Sequence, residues 1–208
     1  MSVQAVLQPD DLLIAADVAE AALMPLADRD WNINAFELEW SCRHTLGHIS
    51  RALLSYSLHL ANRAPGRIAY PRNDDPALSI PQLIALVRAM AGALDQVVRA
   101  APAGTRAWHP QGLADVEGFI AMGCSEVLIH ASDIAQALGA HFTPPDELCE
   151  PVARRLFPWA PPNTSGWSAL RWGNGRVGLP GHKRLDPDWG WQCAPLGEWD
   201  GTVKKESR

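Results

Sequence analysis

A strongly apolar stretch of the chain, GCSEVLIHASDIAQALG at residues 123–139, carries three ionisable groups: Glu126, His130 and Asp133. At about 100° per residue, Glu126 and His130 share one face of a helix, and Asp133, three positions further on, stays on it. Phe119, Ile120, Met122, Val127, Leu128, Ile129, Ile134 and Leu138 surround them, which predicts a deeply buried helix. A buried carboxylate is costly unless it is paired, hydrogen-bonded or bound to a metal. A carboxylate and an imidazole one turn apart, joined by an imidazole from elsewhere, make a catalytic zinc donor set with a fourth position left for water or substrate.

The second imidazole has candidates in CRHTLGHISRALLSYSLHLANR. His44, His48, Arg51, Ser55, His59 and Asn62 form a narrow polar stripe, opposite Leu46, Ile49, Leu53, Tyr56 and Leu60. Periodicity by itself favours a solvated face. The alternative is that His44 or His48 faces a cavity shared with Glu126 and His130, since helix bundles build metal sites from facing helices. Asp133 is read either as orienting His130 or as an ordinary buried aspartate paired with an arginine. Arg51, one turn beyond His48, is read as a group for a substrate or thiol carboxylate, or as solvated surface. His109, in WHPQG, is a loop histidine, solvated or a mobile general base. Trp40 reads as a packing anchor; Trp108, Trp189 and Trp191 read as core or as pocket lining. His59, His141 and His182 have no partner pattern.

These residues need elements to position them. Asp10 or Asp11 caps a first helix running to about Ala27, and DRDWNINAFELEW connects it to the next. Ser41 caps the second helix, which Pro65 and Gly66 end. A loop with Pro71, Asn73, Asp74, Asp75 and Pro76 follows; Ser79 then caps a third helix with Pro81 in its first turn. The fourth runs from about Val116 to Leu138, with Gly139 as its C-terminal cap. PDELCEPVARRLF reads as a shorter fifth. Beyond it the composition changes. SALRWGNGRVGL alternates around Asn174-Gly175, the strongest short-range hairpin signal, and WGWQC is a candidate third strand. The expectation is a mainly α protein: a four-helix bundle over 1–145 and a small C-terminal α/β extension over 146–208, with one helix and a small β-hairpin or sheet.

WSCRHTLGHISRAL resembles the tryptophan-then-helix segment of the mycothiol-dependent maleylpyruvate isomerase family, within the DinB-like superfamily. EVLIHASDIAQALG is similar to its fourth-helix motif, in which Glu, His and Asp recur in this order. LRWGNGRVGLPG followed by WGWQCAPLGEW resembles the C-terminal extension of many members. The resemblance implies a DinB-like bundle whose metal ligands are His48, eight residues after Trp40, with Glu126 and His130. The family pattern has an acidic residue where this chain has His44, an arginine where it has Gly123, and an aromatic where it has Ser132. It further implies a zinc- or other divalent-metal-dependent thiol S-transferase or isomerase, acting on a small electrophile with a low-molecular-weight thiol such as mycothiol. In that scheme Asp133 and Arg51 serve catalysis, and Arg176 reaches the thiol if the hairpin folds back over the site. The alternatives are a non-catalytic DinB-like metal-binding or regulatory protein, or a purely structural metal with His44 or Asp133 as a fourth ligand.

A formal net charge of -5, without a clustered Lys/Arg face, argues against nucleic acid as a partner. The local groups Arg176, Lys183, Arg184 and Lys204, Lys205 read as surface. The N-terminal segment lacks a basic region before an apolar run, and Asp10 and Asp11 interrupt it, so no signal peptide is expected. No apolar run is long enough for a membrane span. Cys42, Cys124, Cys149 and Cys193 are scattered and read as reduced, buried thiols. The expectation is a cytoplasmic protein, monomer or homodimer, with a small-molecule electrophile and a thiol as partners, and neither nucleic acid nor membrane.

Overall fold

The structure is a computed structural model, and it describes residues 6–70 and 75–205. Residues 71–74 of the expected loop, and the first five of the chain, lie outside that range. The described residues form α1 (Asp10–Leu23), α2 (Cys42–Ala61), α3 (Ile80–Ala100), β1 (Arg106–His109), β2 (Gly112–Asp115), α4 (Val116–Ala137), α5 (Asp146–Leu156) and α6 (Gly166–Gly173). The protein is mainly helical, as its patterning predicts.

Four of the six helices among the described residues begin where a side chain satisfies a first free amide; α1 and α5 start after Pro9 and Pro145 with no side-chain cap, so neither Asp10 nor Asp11 is the cap expected for α1. Ser41 Oγ accepts from His44 N–H at the start of α2, and Asp115 Oδ1 accepts from Gly118 N–H at the start of α4. Ser79 and Gln82 exchange bonds at the start of α3, a full capping box. Three helices stop by one device: a residue with positive φ follows the C-cap, and two backbone amides turn back onto the last turn. The residue is Arg63 (φ 47) after α2, Gly139 (φ 75) after α4 and Gly175 (φ 66) after α6. At α6 the bonds are Gly175 N–H to Trp172 O at 2.9 Å and Arg176 N–H to Arg171 O at 2.8 Å.

That last stop overturns the expected hairpin. Asn174-Gly175 closes a helix rather than joining two strands, because Asn174 is committed elsewhere: its Nδ2 donates to Leu170 O at 2.8 Å and to Ser125 Oγ on α4 at 3.1 Å. Ser165 caps α6, and Trp167 and Leu170 bury at helical spacing. The two-stranded antiparallel sheet lies instead in the segment expected as a plain connection, with Trp108 opposite Leu113 and His109 opposite Gly112. Pro110 and Gln111 make the turn. WGWQC forms no strand; among the described residues beyond α6 the only β pairings are isolated bridges, Leu179 with His182 and Trp189 with Lys205.

α1 packs on α3 and α4, α2 on α3 and α4, and α5 on α4 and α6. α4 is therefore enclosed, with Phe119, Met122 and Leu128 fully buried. Each such side chain contributes about 1.5–3 kcal/mol. Gly123 permits the close approach: a Cβ there would lie 2.6 Å from Leu12 Cδ2 and 3.1 Å from Leu94 Cδ2. Position 123 thus faces the apolar interior, not a polar site. Arg155, 1% exposed, ties the C-terminal segment down. Its Nη1 donates to Gln192 O at 2.7 Å, and its Nη2 to Cys193 O at 3.1 Å and to Asp115 Oδ1 at 2.6 Å. Gln111 accepts the Trp191 backbone N–H. Residues 187–193 are thereby laid against the hairpin turn and the end of α5.

Candidate metal centre

Glu126 and His130 leave α4 one turn apart and in the same direction, toward His48 on α2. Glu126 Oε2 lies 3.2 Å from His48 Nε2 and 3.3 Å from His130 Nε2. One donor atom from each residue falls within 4.8 Å of the other two, a spacing that can hold a metal ion. The two imidazoles meet edge to face, 5.1 Å between centroids.

Each donor is held from behind. Tyr56 Oη donates to Glu126 Oε1 at 3.1 Å, leaving Oε2 for the histidines. His130 Nδ1 sits 3.1 Å from Asp133 Oδ2, so the carboxylate fixes the proton at Nδ1 and leaves Nε2 to bind. Arg176 clamps Asp133 in turn, with Nε 3.0 Å from Oδ1 and Nη2 2.8 Å from Oδ2. Trp40 packs on His48 at 4.9 Å between centroids. Two imidazoles, one carboxylate and a carboxylate behind one imidazole suit a divalent metal on the chemistry of the donors alone.

The electrostatics agree. Burial pushes the Glu126 carboxyl up, but His48 and His130 together outweigh it and hold the group well below the usual range. Burial pushes His130 down, yet Asp133 and Glu126 raise it to about 9 in the absence of an ion. Asp133 is likewise held low against burial by His130 and Arg176. Tyr56 is raised by burial first and by Glu126 second, so its hydroxyl keeps its proton.

The cluster opens on a cavity of about 500 Å³. A water molecule takes about 30 Å³, so the space is of substrate size. α2 lines it with His48, Arg51, Ala52, Ser55, Tyr56 and His59, an i, i+3, i+4 pattern. The polar stripe from His48 to His59 is thus an inward face, not the solvated one that periodicity favours. Trp108, His109, Trp189 and Trp191 line it as well.

The other expected residues fall as follows. Arg51 lines the cavity, as does Arg176, which is half-enclosed rather than surface. Asp133 fills both roles considered for it, behind His130 and paired with an arginine. His44 is exposed and stacks on Trp40 at 5.1 Å; it is not one of the three donors. Trp40 is 41% exposed at the cavity edge, not a buried anchor. His109 is 8% exposed, not a solvated loop residue, because the hairpin carries it inward. His59 has partners after all: Nδ1 donates to Ser55 O at 2.7 Å, and Nε2 accepts from Ile68 N–H at 3.0 Å. All four cysteines are free and buried. Among the described residues no helix is long and apolar enough to cross a membrane.

Periodicity assigns Tyr56 to the apolar face, whereas its hydroxyl reaches Glu126. Its signal was available: it stands two steps of four from His48, through Ala52, on one ridge of α2. The hydroxyl's partner, by contrast, depends on how α2 crosses α4.

A family model described as DinB superfamily matches residues 12–134, more than half of the chain and all three donors included. No curated protein and no solved structure matches. The chain belongs to the DinB superfamily, whose members are helical bundles known for metal binding.

Proposed function

We propose that this DinB-superfamily chain is a divalent-metal-dependent enzyme that turns a low-molecular-weight thiol on a small electrophile. The reaction is thiol S-transfer, or isomerisation of the kind catalysed by mycothiol-dependent maleylpyruvate isomerases. His48, Glu126 and His130 would hold the ion, with zinc the best match to this donor set. When bound, such an ion lowers the pKa of a thiol, so that thiolate is available at neutral pH.

One observation carries the reading: neither candidate for a fourth protein ligand joins the cluster. His44 is exposed and lies outside the three-donor group, and Asp133 is divided between His130 and Arg176. Three protein donors facing a cavity describe an open centre, which favours chemistry over a structural role. The chain's own residues supply the rest. Tyr56 orients the carboxylate, and Asp133 sets the His130 tautomer. Arg51 and Arg176 line the cavity, and a thiol's carboxylate would meet them there.

Elemental mass spectrometry tests the centre. About one zinc per chain is expected, lost in His48→Ala, Glu126→Ala and His130→Ala. Zinc-dependent consumption of mycothiol or another small thiol with maleylpyruvate then tests the reaction. If the native protein neither contains nor takes up metal, the enzyme reading fails and the cluster is a hydrogen-bond network.

A further inference from the structure

Three soft donors meet away from the His48, Glu126 and His130 cluster. Cys193 Sγ, in the segment beyond α6, lies 3.4 Å from His109 Nδ1 at the end of β1 and 3.7 Å from Met122 Sδ on α4. All three side chains are buried. Metal bonds of about 2.3 Å to sulfur and about 2.0 Å to imidazole nitrogen, set at about 110–120°, put donor atoms about 3.5–4.0 Å apart. The two contacts of Cys193 are close to that length. Hydrogens do not fill the cluster. His109 Nδ1 accepts the backbone N–H of Gln111 at 3.2 Å, so it carries no hydrogen of its own. A thioether has none to give. One thiol hydrogen is then all that the three electron-rich atoms have to share, whereas a cation among them would engage every one.

Charge decides which cation. One thiolate, one neutral imidazole and one thioether around a monovalent ion make a centre of zero net charge. A divalent ion on the same donors would leave a net positive charge among buried side chains, which is costly. Arg155 sharpens the choice, since its guanidinium already donates to the Cys193 carbonyl oxygen at 3.1 Å. Thiolate and thioether donors select copper in its monovalent state. We propose that Cys193, His109 and Met122 form a binding site for a soft monovalent cation, Cu(I), separate from the divalent centre. On loading, the ion bonds to Sγ, Nδ1 and Sδ, the thiol proton leaves to solvent, and no electron is transferred. Of the three residues His109 is the one that lines the cavity, so an ion arriving there reaches the sulfurs past this ring. Nδ1 exchanges the Gln111 N–H for the ion as it binds. The donors come from the hairpin, from α4 and from the C-terminal segment, so a bound ion fastens that segment to the bundle and stabilises the folded chain.

Cu(I) itself is the probe, added without oxygen to the purified full chain against bicinchoninate as competitor. About one ion per chain is expected to bind, and Cys193→Ser should lose it while keeping the copper-free thermal midpoint of the wild type. Copper retained in Cys193→Ser overturns the proposal, and so does absence of binding to the wild type. Should that variant fail to fold, the wild-type protein still decides. X-ray absorption should show two sulfurs at about 2.3 Å and one nitrogen at about 2.0 Å, and in ¹⁵N NMR the Gln111 amide and His109 Nδ1 should shift on loading. A shell with fewer than two sulfurs, or unshifted Gln111 and His109 signals, overturns the proposal. His130→Ala should bind Cu(I) as the wild type does. Loss of copper there would mean that the His48, Glu126 and His130 cluster holds it, and the proposal fails. The zinc content of the native protein is read separately, so failure of either site leaves the other standing.

Discussion

His130 stands between Asp133 on Nδ1 and Glu126 on Nε2, and without an ion it is held protonated with a pKa of about 9. A metal must displace the Nε2 proton. Zinc uptake by metal-free protein at pH 7 should therefore release about one proton from this ring, seen as a dependence of the calorimetric binding enthalpy on buffer ionisation. No such dependence would mean His130 is not a ligand. Asp133→Asn removes the group that fixes the tautomer and should weaken zinc about 10- to 100-fold while the fold survives. His44→Ala, altering only an exposed ring on Trp40, should leave zinc content unchanged. At this scale the sequence was informative where chemistry conflicts with burial: Glu126, His130 and Asp133 announced themselves by being ionisable in an apolar helix. Tyr56 and His109 did not, since a tyrosine or histidine in amphipathic or loop surroundings is ordinary until its partners are known.

The helices were legible because their starts carry local chemistry. Ser41 and Ser79 cap through bonds within three residues, and such bonds can be read along the chain. The stops are subtler. Asn-Gly serves a type I′ turn and a helix C-cap equally well, as both need positive φ. What decided between them at 174–175 was Ser125, forty-nine positions earlier, holding the Asn174 amide. The same stop after α2 puts Arg63 at φ 47, a conformation that costs a side-chain-bearing residue about 1 kcal/mol. Arg63→Gly should raise the denaturant midpoint slightly and leave zinc content alone. Gly123→Ala should do the reverse. Its Cβ would press on Leu12, Leu94 and Leu53, and overpacking of this kind costs about 1–3 kcal/mol. A midpoint at or above that of the wild type would show that α1 yields without strain.

Across the whole molecule, Arg155 joins α5, the end of the hairpin and the C-terminal segment through Asp115, Gln192 and Cys193. Arg155→Met leaves Asp115 and two buried carbonyls without their donor and should cost about 3–5 kcal/mol. Tryptophan fluorescence should report loosening of Trp189 and Trp191 before zinc is lost, because the ligands sit on α2 and α4. Acid should act on the same wall. Burial holds His109 down at about 4, whereas an unfolded histidine titrates near 6.5. Between those values the unfolded chain takes up a proton that the folded one refuses, so this stabilisation is complete above about pH 6.5 and is lost as pH falls toward 4. His109→Gln should flatten the stability-versus-pH curve of the metal-free protein in that window. An unchanged slope would show that His109 titrates freely. The boundary of the family match adds a consequence of another kind. The three donors lie within residues 12–134, while Asn174, Arg176, Trp189 and Trp191, which also line the cavity, lie beyond it. The three candidate metal donors are thus written inside the family match, and part of the cavity's lining outside it. Change in the tail can therefore reshape the cavity while the three donors themselves are kept.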